Sequence, residues 1–360
     1  MKVFITLFIT MVAMFTAFAA NPHVDKKVRK LTDGTGKTVV TYDVNFYKGK
    51  LILRYTTKDG KTVVKPAKWG EQFFGLEFGR MPRTNGGWSI WNFFACFERN
   101  KGVHNLVSKF LPEQVTMNVI NGAAVADIVF PSVEGNGKLK IRMIQFPSHT
   151  DWIFMRVTAE NFPIWRMDFG AYPYQSNSPK DRERHLRMLE KDYNLSTSGI
   201  KQKPTSQFIA LYNKFMQDNA GNFMIFPYQK IKTLDVPKTR GMVLMRLYPE
   251  QNNPQFDFAL GMFEAKPATD TVNRFFMENA DAIEKFMMQI NWNPKIPVAE
   301  FQWEMIEAVK MELDKTVLDN LKKAYADAVA KNDTAAAAKV LEKLKQLKQQ
   351  KAIEGLNSFR

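Results

Sequence analysis

The sequence predicts a mainly β chain, an antiparallel β-sandwich or supersandwich domain followed by a C-terminal α-helical hairpin. Three observations lead to this reading. Between Val115 and Ala265, short β-branched and aromatic runs follow one another with turn residues between them and little helical periodicity. Asp33-Gly34 and Asp59-Gly60 each precede a β-branched run, and glycine supplies the positive φ that tight hairpin turns require. Beyond Pro297, apolar residues recur three and four apart, which is one stripe of a helix.

Taken in order, residues 1–20 read as an export signal. Lys2 precedes an apolar run from Val3 to Phe18, and Ala17-Phe18-Ala19-Ala20 places small residues at a cleavage site near 19/20. The run is shorter than the roughly 20 residues needed to span a bilayer. No other stretch approaches that length, so a secreted or periplasmic chain without a transmembrane span is expected. The β domain should occupy residues 21–265. Within it Leu139, Ile141 and Met143 alternate with Lys138, Lys140 and Arg142, the pattern of a half-buried antiparallel strand. A helical insertion is expected at 178–192, where Ser178 can cap and Pro179 suits a first turn. Residues 266–360 should be helical: one helix over Thr269–Ile290, then a long hairpin of 297–330 and 334–355, capped at Asp333 or Thr334.

The formal charge is +15. For an exported chain this points to an anionic polysaccharide or envelope component rather than nucleic acid. The hairpin 297–355 offers a surface for a protein partner or self-association. The single cysteine, Cys96, excludes an intramolecular disulfide and stands in an aromatic run, the setting of a buried, inert thiol. Gly34-Thr35-Gly36-Lys37-Thr38 lacks both the earlier glycine and the following helix of a phosphate-binding loop.

The four histidines have no metal-ligand spacing, and no metal or cofactor is expected. His149 and Asp151 alternate, so they can share a side and act as a base with its orienter. His185 is placed on the expected insertion helix, one turn beyond Asp181. With Arg156 and Tyr172 these are the candidate catalytic residues, able to abstract a proton or steady a carboxylate. A second group is the candidate ligand platform: Arg80, Arg83, Asn85, Trp88 and Trp91, because sugar CH faces stack on aromatic rings while Arg and Asn bond hydroxyls. Asp127, Glu134, Asp151, Glu160 and Asp168 are carboxylates from which spacing selects no pair.

An exported β domain with aromatic loops has a fold-level likeness to carbohydrate-active sandwiches. No compact catalytic motif is present. The main expectation is therefore a non-catalytic binding or envelope-associated protein that recognises an acidic glycan or a protein. The alternatives are a polysaccharide-processing lyase or hydrolase of the sandwich type, and a purely structural subunit.

Overall fold

The computed structural model describes residues 22–357, apart from 33, 59, 61–62, 65–72, 78–86, 89–92, 101–102, 107–110, 133–136, 173–182, 214–218, 251–252, 266–267, 294–297 and 332. The export segment lies outside these residues. The first strands are β1 (His23–Lys30), β2 (Thr38–Asn45), β3 (Lys50–Thr57), β4 (Phe73–Glu77), β5 (Gly87–Trp88), β6 (Phe94–Asn100) and β7 (Val103–Leu106). Then come β8 (Gln114–Ile120), β9 (Ala123–Pro131), β10 (Lys138–Gln145), β11 (Trp152–Glu160), β12 (Ile164–Tyr172), β13 (Arg184–Arg187) and β14 (Asp192–Asn194). The last are β15 (Ile200–Gln202), β16 (Phe208–Asn213), β17 (Asn219–Ile225), β18 (Ile231–Val236), β19 (Val243–Pro249) and β20 (Gln255–Ala265).

These strands form two antiparallel sheets. The eleven-stranded sheet runs β1-β2-β3-β4-β5-β12-β19-β18-β15, with β6 and β7 added beside β12, and the nine-stranded sheet runs β14-β13-β16-β17-β20-β11-β10-β9-β8. The antiparallel β-sandwich or supersandwich predicted from the strand pattern is the fold observed. Local chemistry explains the turns. Gly34 and Gly36, with φ of 74° and 68°, lie in the β1–β2 connection, and Asn121 and Gly122, at 54° and 77°, join β8 to β9. Two successive positive φ values match the hairpin twist, which is why Asn-Gly suits that position. His23 and His104 belong to β1 and β7.

Alternation along the strands builds the core. Leu51, Leu53 and Tyr55 of β3, Met167 and Phe169 of β12, and Ile153, Met155 and Val157 of β11 turn inward. Phe169 meets Phe258 of the opposite sheet at 4.8 Å between ring centroids. Trp88 is 1% exposed and donates its indole N–H to the Gly261 carbonyl at 3.1 Å, tying β5 to β20. Cys96 is wholly buried; burial pushes its thiol up, and the charges of Glu98 and Asp168 push further, so it is not a nucleophile.

Two compact units result: residues 1–118 with 124–290, and residues 119–123 with 291–360. Helix α1 (Ala268–Gln289) belongs to the first unit and packs on β16, β17 and β20. Its Phe286 lies 5.3 Å from Phe154 on the outer face of the nine-stranded sheet. The unit boundary thus falls after this helix rather than at 265/266.

The second unit contains α2 (Val298–Lys310), α3 (Lys315–Ala330) and α4 (Thr334–Asn357). The single long helix expected over 297–330 is therefore two helices. Glu312 turns to φ 55°, and Asp314 accepts from the Val317 N–H at 2.9 Å to cap a fresh helix. The stripe continues across the break: Phe301 stacks on Tyr325 at 3.8 Å and 2°, and Ala308, Leu318, Leu321 and Leu344 fill the core of this unit. Lys348 of α4 bonds Glu304 at 2.7 Å and also Glu307, pinning α4 to α2.

Candidate functional site

On the outer face of the eleven-stranded sheet, two rows of side chains lie side by side. One row is Phe97, Arg166, Tyr248 and Thr233, cross-strand neighbours on β6, β12, β19 and β18. The other is Asp168, Arg246, Asp235 and Lys201, running from β12 through β19 and β18 to β15. Charges alternate along that second row. The alternate residues Met167, Leu247, Leu234 and Cys96 go to the core, so alternation forces both rows outward.

A local irregularity completes the face. The register between β12 and β6 shifts between Ile164 and Arg166. Such a bulge lets consecutive residues share a side and re-aims them. Trp165 and Arg166 are thereby both brought to Phe97 and Tyr248. Trp165 meets Tyr248 at 5.5 Å and 83° and Phe97 at 6.3 Å and 87°. The Arg166 guanidinium sits over the rings of Phe97 at 4.1 Å and Trp165 at 4.9 Å.

The charged groups are paired, and one of the two pairs is partly exposed. Arg166 Nη2 donates to Asp168 Oδ2 at 3.0 Å, and Arg246 Nη1 donates to Asp235 at 3.1 Å. Arg246 and Asp235 are partly exposed, whereas the Asp168 side chain is 7% exposed. Burial raises the Asp168 carboxyl above its ordinary value, against the lowering pull of Arg166 and Arg246. The ionised form is therefore held at a cost, which marks Asp168 as the chemically poised group of this face.

The sequence-predicted catalytic residues do not converge. His149 lies in the β10–β11 turn, bonded to the Ser148 hydroxyl at 2.8 Å and against the Phe286 ring at 4.4 Å. Asp151 instead pairs with Lys48 of the β2–β3 turn. Gln145, wholly buried, clamps these two turns by donating to the carbonyls of Lys48 and Thr150 at 2.7 and 3.0 Å. Arg156 is closed on Asp257 by two bonds of 2.7 and 2.8 Å, beside a like pair of Arg142 and Asp127. Tyr172 ends β12, and its side chain lies outside the described residues, as do Arg80, Arg83, Asn85 and Trp91. Trp88, expected on a ligand platform, is instead core.

His185 corrects the helical insertion expected at 178–192. Residues 184–187 are strand β13, with Arg184 and Leu186 buried and His185 and Arg187 on the other face. The run of i,i+4 charges mimics a helix, but pairing with β14 and β16 satisfies the backbone and buries Leu186. His185 Nδ1 meets Asp192 at 3.0 Å and Nε2 meets Glu183 at 2.9 Å, with Tyr212 stacked at 5.0 Å and its hydroxyl donating to Asp192 at 2.5 Å. Both ring nitrogens are engaged, so the ring has no lone pair free for a base.

Burial alone would lower the His185 pKa, but the bonds to Asp192 and Glu183 outweigh it and raise the value above 6.5. A raised folded pKa contributes stability that is full below 6.5 and lost as pH rises through the folded value. Melting temperature should therefore fall over that range in the wild type but not in His185→Phe. Parallel pH profiles for the two proteins would rule out this ionic tether.

Sequence reasoning included Asp168 among five unselected carboxylates and missed Trp165, Arg166, Arg246, Asp235 and Tyr248. The usable signal was Trp165-Arg166-Met167-Asp168, where strict alternation puts Arg and Asp on one face. Among the described residues, no group of three or more His, Cys, Asp or Glu is arranged to hold a metal. No helix among them is long and apolar enough to cross a membrane.

No protein-family model and no curated protein matches this chain. Solved structures similar to it are carbohydrate-active enzymes. An α-N-acetylgalactosaminidase of Bifidobacterium bifidum has 9% identity and a TM-score of 0.41, covering 71% of this chain and 39% of its own. A heparan sulfate lyase of Pedobacter heparinus has 8% identity and a TM-score of 0.34, covering 73% and 42%. A GalM/aldose epimerase homologue of C. elegans has 7% identity and a TM-score of 0.33, covering 67% and 100%. The chain thus spans about two fifths of the length of the glycosidase and lyase.

Proposed function

We propose that this is an exported carbohydrate-recognising protein whose ligand lies on the Trp165–Tyr248 face of the eleven-stranded sheet. One observation carries the reading: an aromatic row and a charge-alternating row stand side by side on adjacent strands. Sugar rings offer CH faces to Trp165 and Tyr248, while the partly exposed Arg246 and Asp235 present donors and acceptors for vicinal hydroxyls. The two arginines here are balanced by two aspartates, which favours bonding to hydroxyls over capture of a bare anion. The export segment supports action outside the cytoplasm.

A second reading is turnover of the bound glycan, favoured by the raised Asp168 carboxyl. Asp168 would act as general acid, with the Asp235 carboxyl across Arg246 from it. Calorimetric titration with a panel of oligosaccharides tests the first reading. Trp165→Ala should weaken binding by about 2 kcal/mol, roughly 30-fold, as central aromatic anchors do. No binding by the wild type, or unchanged binding by Trp165→Ala, would overturn it.

Asp168→Asn tests the second reading. It should reduce product release by about 100-fold or more. It should not lower the melting temperature at neutral pH, because a group with a raised carboxyl pKa contributes stability only at acidic pH. Wild-type binding without product would eliminate turnover and leave recognition standing.

A further inference from the structure

Between His23 and Lys58 there are nine lysines and arginines against three aspartates and no glutamate. The fold gathers them on β1–β3, at one edge of the eleven-stranded sheet. Register places Lys27 beside Thr41 and Arg54, and His23 beside Asn45 and Lys50; Arg29 shares their face. Leu51, Leu53 and Tyr55 alternate with Lys50 and Arg54 into the core, so Lys27, Arg29, Lys50 and Arg54 stand on the outer face that also carries Trp165, Asp168 and Tyr248, whereas Lys26 and Lys30 alternate to the other side of the edge strand. Lys26, Lys27, Arg29 and Lys30 are all exposed. Lys27 is partly neutralised by Asp43 at 2.9 Å, whereas no ion pair engages Arg29 or Lys30 among the described residues.

Three strand steps separate β3 from β12 and five separate β1 from it. At about 4.8 Å per step these are ~14 and ~24 Å across the strands of this sheet. A short sugar on Trp165 and Tyr248 would not reach the basic edge, but a polymer would. The charge at the edge suits carboxylate or sulfate groups, while the rows at the centre suit rings and hydroxyls.

We infer that the ligand is an acidic polysaccharide lying across this face, its rings on Trp165 and Tyr248 and its anionic groups on the β1–β3 edge. This inference rests on the carbohydrate reading of the central rows. It also accounts for why the positive balance of the chain and the charge-neutral centre of the face are both present.

The test uses the whole chain and a triple variant, Lys27→Glu, Arg29→Glu and Lys50→Glu, at positions on the outer face of β1–β3, none of them buried. Probes are polygalacturonate, heparin, amylose, short oligosaccharides of the first two, duplex DNA and phosphatidylglycerol vesicles. Polygalacturonate or heparin should bind the wild type with a steep salt dependence, and roughly 10-fold or more weakly in the triple variant. Trp165→Ala should weaken the same polymer, while short oligosaccharides should bind the triple variant as they bind the wild type.

Equal polymer binding by wild type and triple variant, with short-sugar binding intact, would overturn this inference alone. DNA or vesicles bound as tightly as the polysaccharides, with no effect of Trp165→Ala, would also overturn it by exposing general polyanion adsorption. If no sugar of any length bound the wild type, the carbohydrate reading itself would fall.

Discussion

Trp88→Ala is expected to cost about 3–5 kcal/mol of folding free energy, the range for removing a large aromatic side chain from a packed core. The indole lies edge-on to Phe93 at 6.3 Å and to Phe169 at 6.4 Å, so its loss opens a void in the cluster that joins the sheets. It also removes the N–H that reaches the Gly261 carbonyl. Denaturant or thermal unfolding should show a shift on the order of 10 °C. Trp88→Phe should recover part of the packing without the hydrogen bond. A melting temperature within a degree or two of wild type for Trp88→Ala would show that Trp88 does not bridge the sheets.

The second large effect is expected at the acceptor of that bond. A methyl group at Gly261 would stand 2.1 Å from the Phe223 ring and 2.7 Å from the Asp151 backbone oxygen. Trp152 and Phe223 flank Gly261 on adjacent strands and close over it. Phe223 is 2% exposed and the Asp151 oxygen is backbone, so neither can yield easily. Gly261→Ala should therefore cost up to about 3 kcal/mol through overpacking. Combining Gly261→Ala with Phe223→Leu should relieve part of the clash, and equal instability of single and double variants would contradict this cause.

Local chemistry made much of the fold legible. The Asp-Gly and β-branched pattern marks the first hairpins, and the alternation of Leu139, Ile141 and Met143 marks β10. The stripe from Phe301 to Ala328 likewise identifies the helical unit. What it could not mark was the break at Glu312, because no glycine or proline announces it and the apolar spacing runs on through Leu313. His185 was misread for a related reason. Its neighbours carry helical charge spacing, and only pairing with β14 and the more distant β16 makes an extended conformation preferable.

The site was less legible than the fold. Asp168, Asp235 and Arg246 become neighbours through the register of three strands separated by many residues, and nothing in local spacing reports that register. Trp88 was legible as an aromatic but not as a buried one, since its role depends on Gly261, far along the chain. The residues read as a ligand platform at 80–91 otherwise fall outside the described residues.

The bulge beside Trp165 has an evolutionary reading. Because it places one extra residue on the outer face and leaves the inward phase from Met167 onward intact, it behaves as a one-codon insertion confined to the surface. A lineage could gain or lose the Trp165 contact by a single-codon change at this point while the folding core stayed as it was. The outer surface at Trp165 is therefore far more evolvable than the sandwich that supports it.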